Sequence, residues 1–140
     1  MLIDSDILID FLRGRLEAQK FFNQFKPPFY ISYISKFEIL AGSVNKTEMK
    51  LYEDFLSHFI LLPITNEIIE LAFQIFKEHF LRSKIGWQDA IIAASAIYYN
   101  IPLISRNKKH YTPITRLNLE RLINYSLLCY NSFILSNLTN

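Results

Sequence analysis

The sequence predicts an α/β domain with a mostly parallel central sheet and helices on both faces, a three-layer α/β/α arrangement. Short apolar runs, "MLID", "FYIS", "ILLPI" and "PLIS", alternate along the chain with longer stretches of helical periodicity. These runs are continuously apolar rather than alternating, which is the pattern of strands covered on both sides. The chain has 140 residues, 51% of them apolar, which suits one domain with a buried core.

Each element follows from local chemistry. "MLID" is a short apolar run ending in an acid and reads as the first strand. "SDILIDFLRG" reads as a helix with Ser5 or Asp6 as its cap, Asp10 as a solvated residue and Gly14 at its end. "RLEAQKFFNQF" sets Leu16, Phe21, Phe22 and Phe25 on one side, and Pro27 and Pro28 stop it. "FYIS" is the second strand. "SKFEILAG" is a helix with Ser35 as cap and Gly42 as terminator, and "TEMKLYEDFLSHF" is an amphipathic helix. "ILLPI" is the third strand, and Thr65 or Asn66 caps a longer helix through "EIIELAFQIFKEHFLRS". In "GWQDAIIAASAIYYN", Ala90, Ala93, Ala94 and Ala96 let a helix lie close against a sheet. "PLIS" is the fourth strand. Residues 1–117 form the expected domain. Residues 118–140 form a C-terminal extension, expected to be helical and packed on the domain or at an interface.

Composition narrows the function. One cysteine, Cys129, excludes an intrachain disulfide framework, argues against a thiolate zinc site and suits a reducing cytoplasm. Asp4 and Asp6 interrupt the apolar start, unlike a signal peptide, and no apolar run approaches a membrane span. A net charge of +2 is compatible with a polyanionic partner without requiring one.

Carboxylates in apolar settings carry the chemistry, because a buried charge is costly unless paired or bound to metal. Asp4 ends the first strand, Glu38 follows the second, and Asp89 lies in the first turn of the helix before the fourth. In parallel sheets, ligands bind outside the carboxyl ends of the strands, so these acids can share one edge. Together they would repel one another, and a divalent cation relieves the conflict. Oxygen ligation without clustered His or Cys favours Mg²⁺ or Mn²⁺ over zinc.

"LIDSDILIDFLRG", "ISYISKFEILAG", "IGWQDAIIAASAI" and "PLISRNKKHY" resemble, in order, the motifs of PIN-domain nucleases, above all the VapC-like ribonuclease toxins, over residues 1–115. The resemblance implies a Mg²⁺-dependent (or Mn²⁺-dependent) endoribonuclease that forms homodimers and is held inactive by a VapB-like antitoxin. It places the family's three acids on Asp4, Glu38 and Asp89. Asp6 falls close to the metal, and Ser5 on a small hydroxyl position beside the first acid. Ser105 and Asn107 keep the fourth motif, but His110 stands where an acid is often found, leaving one or two cations open.

Asp6 reads as a helix cap, a further ligand, or both. Glu38 pairs with Lys36 or Lys84, or joins the acids. Arg106, Lys108 and Lys109 form a solvated basic turn or hold RNA phosphates. Trp87 is read as core or as a platform that stacks on a base, and His58 and His79 as surface or packing residues. Two functional classes follow: a nuclease toxin, or a PIN-like module with weak or no catalysis that binds RNA or protein.

Overall fold

The computed structural model describes residues 1–120. The chain runs β1 (Leu2–Ile3), α1 (Ser5–Leu12), α2 (Leu16–Gln24), β2 (Tyr30–Ser32), α3 (Tyr33–Ala41), α4 (Lys46–Leu56), β3 (Ile60–Leu62), α5 (Asn66–Ser83), α6 (Trp87–Tyr98), β4 (Leu103–Ile104), α7 (Lys108–Tyr111) and β5 (Leu119–Glu120). The five strands form one sheet in the order β3-β2-β1-β4-β5, and every pairing is parallel. This is the predicted α/β class, with one strand more than the sequence suggested.

Strand alternation divides the core into two layers, because successive side chains leave opposite faces of a sheet. Leu2 and Leu103 enter the cluster with Ile68, Ile75, Ile92 and Ala93 of α5 and α6. Their neighbours Ile3 and Ile104 enter the opposite cluster with Ile7, Leu8, Phe21 and Ile39 of α1, α2 and α3. Ala90, Ala93, Ala94 and Ala96 are buried along α6, as their small size predicts.

The order of strands places the site. From β1 the chain builds outward through β2 to β3, then returns to the other side of β1 for β4 and β5. The reversal lies between β1 and β4, and the crevice outside their carboxyl ends is where parallel sheets bind ligands.

Several local readings change. Asp4, not Ser5 or Asp6, caps α1, its side chain accepting from the Ser5 amide. Ser32 caps α3 and receives the amide of Ser35, so that helix begins at Tyr33 rather than after Ser35. The basic turn after β4 contains the short helix α7. Residues 119–120, expected in a helical extension, form β5 instead, because pairing with β4 satisfies their backbone. Residues 121–140 of that extension, including Cys129, lie outside the described residues. Trp87, read as core, is 58% exposed and borders a shallow apolar groove with Phe73 and Phe76. His79 is buried and His58 exposed. Among the described residues, no helix is long and apolar enough to cross a membrane.

Candidate active site

Asp4 is delivered to the crevice by the end of β1 and held there by the start of α1. It is 3% exposed. One carboxylate oxygen accepts the Ser5 amide at 2.8 Å, and the other accepts the Ser105 hydroxyl, from the end of β4, at 2.7 Å. Two adjacent strand ends are thus tied by one hydrogen bond across the switch point. Burial, then the charge of Asp6, push the Asp4 carboxyl up to about 7, against the opposing pull of the Ser105 and Ser5 hydrogen bonds; Asp89 adds a smaller upward push.

Asp6 lies one residue beyond Ser5 in the first turn of α1. Its Oδ2 accepts the Arg106 amide at 2.8 Å and the Ser105 hydroxyl at 3.3 Å. Its Oδ1 is buried and without a hydrogen-bond partner among the described residues. Burial raises its carboxyl above the ordinary range, opposed chiefly by the hydrogen bonds of Arg106 and Ser105.

Asp89 approaches from the first turn of α6. Tyr111 donates its hydroxyl to Asp89 Oδ1 at 3.2 Å. On the other oxygen, His110 Nδ1 lies at 2.5 Å and Asn107 Nδ2 at 3.4 Å. Asn107 Nδ2 also lies 3.0 Å from His110 Nδ1, and the Asn107 amide donates to Ser105 Oγ at 3.0 Å. The Tyr111 ring is fully buried beneath the acids, and its hydroxyl is driven well above its ordinary range by burial, then by the charges of Asp4 and Asp89.

Asp4, Asp6 and Asp89 therefore share one electrostatic environment, linked through Ser105, Asn107 and Tyr111. Ser5 joins them through its amide and, at 3.5 Å, its hydroxyl. Glu38 does not touch this network. It is half-buried on α3, makes no hydrogen bond or ion pair with the described residues, and borders a neighbouring cleft of about 140 Å³. The pairings with Lys36 and Lys84 do not form. Ile9 and Arg13 line both this cleft and the one containing Asp6, so Glu38 lies beyond a shared wall. Among the described residues, no three His, Cys, Asp or Glu side chains form a ready metal cage. The donor chemistry nevertheless fits a hard divalent cation: Asp4 and Asp6 share the Ser105 hydroxyl, and the buried Asp6 Oδ1 has no hydrogen-bond partner among the described residues.

Asp10, read as solvated, is 8% exposed and ion-paired with the Arg106 guanidinium. Lys108 and Lys109 are exposed on α7. Sequence reasoning missed Tyr111 and the Asp10–Arg106 pair. It noted Ser105 only as part of a motif. Its position at a strand end, matching Asp4 on β1, was the available signal.

A parallel sheet with aspartates at its switch point defines an α/β protein with an acidic crevice outside the strand ends. The PIN domain model matches residues 1–113, and the chain belongs to the PIN domain family. It is 31% identical over 128 residues to "Ribonuclease VapC" of Rickettsia bellii, an alignment spanning 84% of this chain and 92% of that protein. It is 28% identical over 132 residues to "Ribonuclease VapC1" of Methanocaldococcus jannaschii, spanning 94% and 87%. A toxin–antitoxin complex from Klebsiella pneumoniae contains a chain with a TM-score of 0.72 and 31% identity, covering 83% of this chain and 93% of that one. DNA-bound VapBC from Salmonella typhimurium shares the fold at a TM-score of 0.74 and 20% identity, covering 86% and 96%.

Proposed function

We propose that this chain is a VapC-like toxin, a divalent-metal-dependent endoribonuclease that cuts RNA phosphodiesters. The observation that supports this reading is the Ser105 hydroxyl shared by Asp4 and Asp6 at the β1–β4 switch point, with Asp89 linked to Ser105 through Asn107. The ribonuclease relatives support it.

Asp4, Asp6 and Asp89 are the residues that would hold Mg²⁺ or Mn²⁺; Glu38, the other acid of the motifs, borders the neighbouring cleft. A bound divalent cation supplies Lewis-acid activation of water and neutralises charge on the phosphate. Ser105 fixes the Asp4 and Asp6 carboxylates by donating to both. Tyr111 and Asn107 orient Asp89. Asp89, at the acids, is the proton acceptor within this network for an attacking water; Glu38, at the neighbouring cleft, has no partner among the described residues. Arg106, Lys108 and Lys109 present positive charge beside the acids for the RNA backbone.

The partners in this reading are RNA, a VapB-like antitoxin that covers the acids, and a second copy of the chain; the setting is the cytoplasm. Expression with and without a neighbouring antitoxin gene, with mapping of cellular RNA ends, tests the toxin role. Growth arrest with discrete cuts, both lost in Asp4→Asn, is the expected result. Arrest that persists in Asp4→Asn contradicts it.

A second reading, a binding module without catalysis, is favoured by one contact: His110 Nδ1 occupies Asp89 Oδ2 at 2.5 Å. Calorimetric titration separates the two. RNA binding without Mg²⁺ or Mn²⁺ binding favours the module.

A further inference from the structure

The cleft beside the acids carries, besides Asp6 and Asn107, residues that the metal chemistry does not use. It has a volume of about 390 Å³ and is lined by Asp6, Ile9, Asp10, Arg13, Arg106 and Asn107. Asp6, Asp10 and Arg13 fall at intervals of four and three residues along α1, so one polar stripe of that helix forms a wall of the cleft. The core side of the same helix carries Ile7 and Leu8. Arg106, nearly a hundred residues away in sequence, closes the cleft from the turn after β4.

The two arginines differ in how they are held. Arg106 donates its amide to Asp6 and its guanidinium to the buried Asp10. Its side chain is still 60% exposed, so the rest of the guanidinium faces outward. Arg13 ends α1, is exposed, and makes no ion pair with the described residues. A guanidinium offers a planar fork of donors that matches phosphate oxygens, and one fixed by a buried carboxylate loses less freedom on binding an anion. Asp6 and Arg13 are seven residues apart, about 10 Å along the helix. Arg13 therefore stands at the opposite end of this cleft wall from Asp6.

We propose that this cleft is a subsite for the RNA phosphate next to the scissile one, with Arg13 and Arg106 as its anion-binding groups and Asp10 as the positioning residue for Arg106. The subsite rests on the nuclease reading above, but its test does not use cleavage. A short single-stranded RNA is titrated by fluorescence anisotropy against the full chain carrying Asp4→Asn, over a series of KCl concentrations. In that background, Arg13→Ala weakens binding severalfold and lowers the slope of log affinity against log salt by about 0.7, the value for one phosphate contact on a single strand. Arg13→Lys, which keeps the charge, restores the slope. Asp10→Asn weakens binding when Arg106 is present and has no further effect on Arg106→Ala, a non-additivity that general loss of structure does not produce. Unchanged affinity and slope in Arg13→Ala overturn the subsite and leave the nuclease reading standing. Equal effects of Asp10→Asn with and without Arg106 overturn the positioning role. No RNA binding by the Asp4→Asn parent overturns both the subsite and the nuclease reading.

Discussion

At the scale of single residues, the site is held in a state that opposes folding. Asp4 takes its proton near 3.8 in an unfolded chain and near 7 in the folded one. Its favourable contribution is full below pH 3.8 and is lost as pH rises through about 7, a change on the order of 4 kcal/mol. Asp6 shifts in the same direction. In EDTA, thermal unfolding of the wild type should therefore show declining stability from pH 4 to pH 8. Asp4→Asn should flatten this decline and raise the Tm at pH 8 while removing the metal-dependent activity, and a steeper decline in the variant would contradict the assignment. Ser105→Ala leaves a buried Asp4 oxygen without its donor and should cost about 1–3 kcal/mol, measured by urea unfolding at pH 8. Asp4 was legible in the sequence because an acid at the end of an apolar run needs a reason. Tyr111 was not, since an aromatic two residues past a pair of lysines looks like any loop residue; only the folded chain brings its hydroxyl to Asp89.

At the scale of elements, legibility followed length and pattern. The helices α1 to α6 announce themselves by periodicity, caps and terminators, and the alanines of α6 are buried in the core layer that also holds Leu2 and Leu103 of the sheet. Ala93 is fully buried there, so Ala93→Leu should overpack the α6 layer and cost about 1–3 kcal/mol, read as a fall in the urea midpoint. The four-residue α7 and two-residue β5 carry too little periodicity to be seen, and β5 exists only because β4 offers it a partner. Asp10 was misread for a related reason. Helical spacing puts it away from the core stripe, but Arg106 covers it from another part of the chain. Glu38 shows the opposite outcome: its motif suggested the acid cluster, whereas α3 leaves it beyond Ile9, bordering its own cleft.

At the scale of the whole molecule, two layers of helices support one sheet, and the reversal of strand order at β1 brings residues 4, 6, 89, 105 and 111 together. Clustered buried acids make the metal-free molecule less stable, so a cation that binds the folded state should return that stability by mass action. At a concentration 100 times its Kd, Mn²⁺ should add about 2.7 kcal/mol. The corresponding rise in Tm at pH 8 should be absent in Asp4→Asn and Asp89→Asn. The central claim, that this acidic crevice cuts RNA with a divalent cation, is tested most directly by purified protein and a defined single-stranded RNA. We expect cleavage in Mn²⁺ or Mg²⁺, none in excess EDTA, recovery when the cation is restored, and no cleavage by Asp4→Asn. Cleavage that continues in EDTA, or at full rate in Asp4→Asn, would contradict it.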